Sequence, residues 1–305
     1  MEAIVYEEFG GADVLRHETG VAVPEPGPGE VRVAVAAVGV NPVDHKRRRG
    51  WVEQFYPTTF PAVPGLEFAG TVDALGEGVT GVAVGDEVLG WTKTGAYAQY
   101  ALADLFVPKP AGLSWEQAAS LPVAGETAQR VLVLLGVREG ETLLLHGAAG
   151  AVGSMAVQLA VASGVTVIGT ASERNHAHLR SLGAVPVTYG EGLADRVRAA
   201  APQGVDAVFD AAGHDTLPVS IELMGGEKER IVTIAAVDAA EHGIVFSGLS
   251  AAPDVVRAGL TAQAGLAVAG SLRVTVAESF PLKEAARAQE LSESGHVRGK
   301  LVLRP

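Results

Sequence analysis

Hydrophobic and polar positions follow two rhythms along the 305-residue chain. The first is short-range and strand-like. Ala3–Glu7 alternates, and Val31–Val40 is a β-branched apolar run of the kind that fills a buried strand. Gly65 to Val72 starts another strand. Gly76, Gly78, Gly81 and Gly85 then punctuate short apolar stretches that continue through Tyr97–Ala101 and Leu105–Val107. Short strands at close spacing predict a compact barrel-like or sandwich-like unit. The rhythm changes at Ser114, an N-cap residue with Gln117 three positions on. From there helical and strand patterns alternate. Helices are predicted at Ala124–Leu135, Ser154–Ser163, Asn175–Leu182, Leu193–Ala201 and Leu217–Met224. Strands are predicted at Thr142–His146, Val165–Thr170, Val185–Tyr189, Val205–Asp210 and Arg230–Ala235. This alternation is that of a parallel doubly wound sheet. The strand-like texture returns at Leu272–Val276, followed by a helix at Leu282–Ser294 and a strand at Lys300–Leu303. The expected organisation is α/β, with a β-rich unit of residues 1–113 and 268–305 and an α/β unit of 114–267 inserted in it.

Within the α/β unit, Thr142–Arg174 forms one strand–turn–helix–strand repeat. Its turn reads Ala148-x-Gly150-x-x-Gly153, a dinucleotide spacing with Ala in place of the first Gly. Gly150 has no Cβ, so a pyrophosphate can approach the backbone. Gly153 lets the helix pack near the strand, and the helix N-terminus offers N–H groups and a positive dipole end. A Gly-rich turn that binds nothing is the plain alternative, and the strand before and the helix after argue against it. At the end of the second strand, Ala171 stands where an NAD site would carry an acid, with Ser172 and Arg174 following. A hydroxyl and a guanidinium suit a 2′-phosphate, which points to NADPH. The competing arrangement has Glu173 binding the ribose of NADH. Ligands of such sheets lie at the carboxyl ends of the strands, so the expected site is the cleft between the two units.

Composition narrows the functional classes. The net charge of −12 argues against a nucleic-acid partner. The basic run His45-Lys46-Arg47-Arg48-Arg49 reads as a solvated helix or loop face. There is no cysteine, which removes disulfides, thiol catalysis and thiolate-bound zinc and is compatible with a reducing compartment. The N-terminus lacks the basic and apolar regions of a signal peptide, and no apolar run is long enough to span a membrane. A cytoplasmic location is expected.

Taken together, several segments resemble the medium-chain dehydrogenase/reductase superfamily, and within it the zinc-free quinone oxidoreductases. They are Gly39-Val40-Asn41-Pro42-Val43-Asp44-His45-Lys46, Pro64-Gly65-Leu66-Glu67-Phe68-Ala69-Gly70, Gly125-Glu126-Thr127-Ala128, the Ala148–Gly153 turn, Val208–Gly213, and Gly295–Leu303. The resemblance implies a GroES-like β-rich catalytic domain and a Rossmann domain. Zinc members of the superfamily place a Cys where Asn41 stands and a His where Leu66 stands. Leucine cannot bind metal, so no metal site is expected, and without a Lewis acid alcohol oxidation is disfavoured.

The resemblance further implies hydride transfer from NADPH to a quinone or an α,β-unsaturated carbonyl. Catalytic candidates are Asn41, as a partner of the carbonyl or of the nicotinamide ribose, Lys46, as a donor or phosphate contact, and Asp44, which would orient Lys46. Each has a bland reading: Asn41 as a strand stop, Lys46 as a surface lysine, Asp44 as a helix-start acid. Many relatives carry Tyr at the Lys46 position, which leaves the proton donor open. For the cofactor, the resemblance points to Thr127 at the nicotinamide end and to Ala148, Ala149, Gly150, Ala151, Val152 and Gly153 at the pyrophosphate. Ser172 and Arg174 would take the 2′-phosphate, and Tyr189 the adenine unless it merely packs. Asp210, Ala211 and Gly213 fall on the ribose side, Ala235 and Phe246 face the nicotinamide, and Lys300 is a further candidate. Trp51, Phe55, Tyr56 and Leu249 would line a pocket for a flat hydrophobic substrate. An enoyl-thioester reductase, whose carrier the basic run would meet, and a non-catalytic NADPH-binding protein are the rival readings. A homodimer is the default assembly.

Overall fold

The computed structural model describes all residues except His214, Leu249 and Ser250. In chain order, the first elements are β1 (Ala3–Val5), β2 (Arg16–Glu18), β3 (Val31–Val40), α1 (Pro42–Arg48), β4 (Glu67–Leu75), β5 (Glu87–Trp91), β6 (Tyr100–Ala103), β7 (Leu105–Pro108), α2 (Trp115–Ala119) and α3 (Pro122–Leu135). There follow β8 (Thr142–His146), α4 (Ala151–Ala162), β9 (Thr166–Thr170), α5 (His176–Ser181), β10 (Val185–Val187), α6 (Leu193–Ala200), β11 (Ala207–Asp210), α7 (Thr216–Leu223), β12 (Ile231–Thr233) and β13 (Val245–Phe246). The chain closes with α8 (Pro253–Val268), β14 (Val276–Pro281), α9 (Ala285–Glu293) and β15 (Lys300–Arg304).

The chain divides into two compact units, residues 1–123 with 253–305, and residues 124–252. In the first, a seven-stranded sheet runs β14-β15-β3-β4-β5-β7, with β6 added to β3. β3 is its spine, pairing antiparallel with β4, β6 and β15. Its Val31, Val33, Val38 and Val40 side chains enter a core with Phe68, Tyr97, Phe280 and Leu303. α2, capped by Ser114 accepting from the Gln117 N–H at 3.1 Å, packs on β3 and β4, and α8 packs on β7. Both helices therefore group with the β-rich unit, although the sequence texture from Ser114 onward suggested otherwise.

In the second unit six strands are all parallel, in the order β10-β9-β8-β11-β12-β13. This is the order of a dinucleotide-binding sheet, with the reversal of strand order between β8 and β11. Leu143, Leu144, Leu145, Val208 and Phe209 are fully buried, as strands covered on both faces require.

One strand is displaced and one helix is added relative to the sequence reading. The strand expected at Leu272–Val276 lies instead at Val276–Pro281, where pairing with β15, through a register shift at Val276/Glu278, sets its position. Helix α8 was not anticipated, since its Ala, Gly, Val and Leu residues mark no sharp polar face.

Candidate active site

In the second unit the turn Gly147–Gly153 follows β8, and α4 begins at Ala151 with Gly150 as its N-cap. Gly147 has φ +72°, open to glycine at little cost, and a Cβ there would fall 3.1 Å from the Ala211 carbonyl oxygen. A Cβ on Gly153 would fall 2.7 Å from Ala148 Cα, so the first turn of α4 rests directly on the loop. Gly150 is open, its ideal Cβ meeting only the Gly147 oxygen at 3.5 Å. Ala148 and Ala149 are buried, and Ala151 and Val152 half-buried. Thr170, ending β9, fixes the turn: its hydroxyl accepts from the Gly147 N–H at 3.2 Å and its carbonyl from the Ala148 N–H at 3.1 Å. The first-turn N–H groups of α4 have no intrahelical acceptor. A close backbone beside free N–H groups fits a pyrophosphate.

The neighbouring loops join this cradle. Asp210 ends β11 beside His146 at the end of β8. One Asp210 oxygen accepts from the N–H groups of Ala212 and Gly213, both at 3.0 Å, and the other from the Thr233 hydroxyl at 2.6 Å. Thr233 Oγ1 in turn accepts from the N–H groups of Ala235 and Ala236 at 3.0 Å. The fully buried Asp210 side chain thus shapes the loops after β11 and β12. A Cβ on Gly213 would sit 3.3 Å from the Ala235 carbonyl, so the loops carrying Ala211, Gly213 and Ala235 touch. His146 is also fully buried, with Nε2 3.0 Å from Ser220 Oγ. Burial pulls its imidazole down from 6.5 to about 4 although the Asp210 charge opposes this.

At the edge of the cradle, Ala171 is buried, Ser172 half-buried and Arg174 exposed. Ser172 Oγ accepts from Asn175 Nδ2 at 3.2 Å. Tyr189 is half exposed, and its loop is pinned by Arg196, whose guanidinium donates to the carbonyls of Thr188 at 2.9 Å and Gly190 at 3.2 Å. On α3, Thr127 Oγ1 accepts from Arg130 at 3.5 Å, and Arg130 also donates to the Ser247 carbonyl at 3.0 Å, next to Phe246. Glu126 pairs with Arg130 at 2.8 Å and accepts from the Ala251 N–H at 3.2 Å.

In the first unit a second polar cluster surrounds Asn41, the residue between β3 and α1. Lys300 Nζ donates to Asn41 Oδ1 and to Glu67 Oε1, each at 2.5 Å. Asn41 Nδ2 donates to the same Glu67 oxygen at 2.8 Å, while Glu67 Oε2 accepts from the Val123 N–H at 2.7 Å. Asp44 Oδ2 accepts from the Asn41 N–H at 2.9 Å and from the Tyr97 hydroxyl at 3.0 Å. Asp44 is buried, and desolvation raises its carboxyl from 3.8 to about 6 against the pull of those bonds and of the Lys300 charge. The Tyr97 hydroxyl is driven well above its ordinary value by the same burial and by Asp44.

The structure thus gathers Asn41, Asp44 and Lys300 into one cluster. Asp44 serves the start of α1 and Tyr97. Lys46 is half-buried on α1. Glu67 and Tyr97 were not among the expected site residues. The signal for Glu67 was an acid inside an apolar strand start; Tyr97 gave none.

The basic run is not a solvated face. His45 and Arg48 are buried, Arg48 Nη2 pairs with Glu293 at 3.0 Å, and Arg49 pairs with the same carboxylate. Two of its charges, on Arg48 and Arg49, are therefore paired within the fold. Trp51 and Phe55 are more than half exposed and Tyr56 is half-buried; Leu249 lies outside the described residues. Among the described residues no group of three metal-ligating side chains converges, and no helix is long and apolar enough to cross a membrane.

Comparison with known proteins matches residues 27–116 to the alcohol dehydrogenase GroES-like domain and residues 182–303 to the zinc-binding dehydrogenase family. The NADPH-dependent alkenal/one oxidoreductase of Arabidopsis thaliana is 32% identical over 100% of this chain and 80% of its own length. The quinone oxidoreductase of Lama guanicoe is 33% identical over 99% of this chain and 97% of its own. The quinone oxidoreductase of Escherichia coli, solved in complex with NADPH, superposes with a TM-score of 0.89 at 27% identity, covering 100% of both chains.

Proposed function

The chain belongs to the quinone oxidoreductases of the medium-chain dehydrogenase/reductase superfamily, and from that premise we propose an NADPH-dependent reductase of quinones and α,β-unsaturated carbonyls. The observation that carries the cofactor half is the cradle at the reversal of strand order, where Gly150 leaves the backbone open beside the first N–H groups of α4. NADPH, when bound, supplies a hydride. The Ala148–Gly153 turn holds its pyrophosphate, and the exposed Arg174 with Ser172 holds the 2′-phosphate. Tyr189 lies against the adenine. The loops of Ala211, Gly213 and Ala235 bound the ribose and nicotinamide side, with Thr127 and Phe246, while Asp210 fixes those loops.

In the first unit Asn41, Lys46 and Lys300 are the polar candidates to serve the reacting carbonyl or the nicotinamide ribose. An enolate formed by hydride addition needs donors, which the Lys46 and Lys300 ammonium groups supply, while the Asn41 amide N–H groups go to Glu67 and the Gly39 carbonyl. The reaction is zinc-independent: Leu66 and Asn41 stand at the ligand positions, and Glu67, the remaining acid of that region, is paired with an ammonium. The protein acts in the cytoplasm as a homodimer. The exposed edge strand β13 of the parallel sheet supports the dimer, and the cysteine-free composition fits a reducing compartment. The test is NADPH consumption across quinones, enones, enoyl thioesters and alcohols. Turnover of the first two classes and none with alcohols is expected; turnover confined to alcohols or thioesters overturns the assignment.

A further inference from the structure

Glu67 is an acid with 0% exposure in the core of a β-sheet unit, where fold stability alone does not call for a charge. Replacing a buried ion pair with apolar side chains of similar volume is often neutral or stabilising. The arrangement is nonetheless built around this carboxylate. Three donors from three different segments converge on it: Asn41 Nδ2 at 2.8 Å, Lys300 Nζ at 2.5 Å and the Val123 N–H at 2.7 Å. Gly39, two residues before Asn41, makes the room. A Cβ there would collide with the Glu67 carboxylate and come within 2.6 Å of the Ala119 carbonyl oxygen.

The three side chains close a triangle, because Lys300 also donates to Asn41 Oδ1 at 2.5 Å. This fixes which way the Asn41 amide faces. Its oxygen must meet the ammonium and its nitrogen the carboxylate; the flipped amide would set N–H against ammonium and oxygen against carboxylate. One proton of the Lys300 ammonium and one lone pair of Asn41 Oδ1 remain outside the triangle.

We propose that Glu67 is a positioning residue for the reduction, holding the Lys300 ammonium and the Asn41 amide in the one arrangement that meets the reactants. This rests on the reductase reading above. Glu67 itself touches neither substrate nor cofactor; it acts through its two partners. Asp44 reports on the triangle from outside. It faces Tyr97, Lys300, Glu67 and Tyr6, and Gln289 of α9 lies beside Tyr97. The Lys300 charge lowers the Asp44 carboxyl and the Glu67 charge raises it.

The experiment uses the full-length protein and three variants, Glu67→Gln, Lys300→Met and the charge-balanced double variant. Steady-state kinetics with an enone are run beside an NADPH fluorescence titration and a carboxyl-carbon NMR titration of Asp44. Glu67→Gln keeps the shape, but its amide cannot accept from all three donors. The expected result is a kcat at least tenfold lower, with NADPH affinity changed less than threefold. Asp44 should titrate at lower pH in Glu67→Gln and at higher pH in Lys300→Met. The double variant removes the charge problem without restoring orientation, so its kcat should stay low, and it serves as the test if either single variant fails to fold. Wild-type kcat in Glu67→Gln with an unmoved Asp44 titration, or wild-type kcat in the double variant, overturns the proposal. A wild-type protein that reduces no enone or quinone refutes the reductase reading instead, and the NMR titration still reports the triangle.

Discussion

Asp44 offers a direct test of the buried cluster. Its carboxyl is raised from 3.8 to about 6 by burial, while the Asn41 N–H, the Tyr97 hydroxyl and the Lys300 charge pull the other way. Each tenfold change in acidity corresponds to about 1.4 kcal/mol, so keeping Asp44 ionised costs the folded state about 3 kcal/mol. The sign follows from linkage. The folded state binds a proton between pH 6 and 4 that the unfolded chain does not, so the cost is complete above pH 6 and disappears as the pH falls towards 4. Asp44→Asn keeps an oxygen for the Asn41 N–H and the Tyr97 hydroxyl but carries no charge. Its new amide N–H groups sit where Asp44 Oδ1 has no hydrogen-bond partner, at a cost of about 1 kcal/mol that does not vary with pH. The variant should therefore be about 1 kcal/mol less stable than the parent at pH 4 and about 2 kcal/mol more stable at pH 8. Urea unfolding followed by tryptophan fluorescence reads this unit, since Trp51, Trp91 and Trp115 all lie in it. Stability curves for parent and variant that run parallel from pH 4 to 8 would refute the reasoning.

Three further outcomes are expected. Arg174→Ala should weaken NADPH binding by about 1.5–3 kcal/mol, roughly 10- to 150-fold, and leave NADH almost unchanged; equal losses in parallel titrations would refute the 2′-phosphate assignment. Glu293→Ala strands the fully buried Arg48 without its carboxylate and should destabilise the first unit by about 3–5 kcal/mol, measured by the same tryptophan signal. His146 acts opposite in sign to Asp44. Its folded value of about 4 lies below the unfolded 6.5, so stability held above pH 6.5 is lost as the pH falls towards 4, by about 3 kcal/mol. In His146→Gln that acid slope of the second unit should flatten by this amount in urea unfolding followed by circular dichroism.

The elements that could be read from sequence are those whose side chains alone dictate them. Val31–Val40 and Thr142–His146 have the predicted bounds because a β-branched or apolar run between polar stops suits only a buried strand. The glycine turn was legible for a similar reason, since close backbone approach demands small residues at fixed spacing. Features that depend on distant partners were not legible. The position of β14 is set by β15. Asp210 looks, in sequence, like an acid at a strand end facing ribose, yet its carboxylate is taken up by the loops it organises. The run His45–Arg49 looks like surface because nothing nearby in sequence announces Glu293. Glu67, Tyr97 and Lys300 are far apart along the chain, and only the pairing of β3 with β4 and β15 brings Glu67 and Lys300 to Asn41.

The most direct measurement follows the hydride itself. Protein treated with EDTA is given NADPH deuterated at the reactive C4 position and an enone, and the product is examined by NMR. Deuterium at the former β-carbon, at an undiminished rate in the presence of the chelator, is the predicted result. Product without label, or a rate restored only by added zinc, would contradict a metal-free hydride transfer from NADPH.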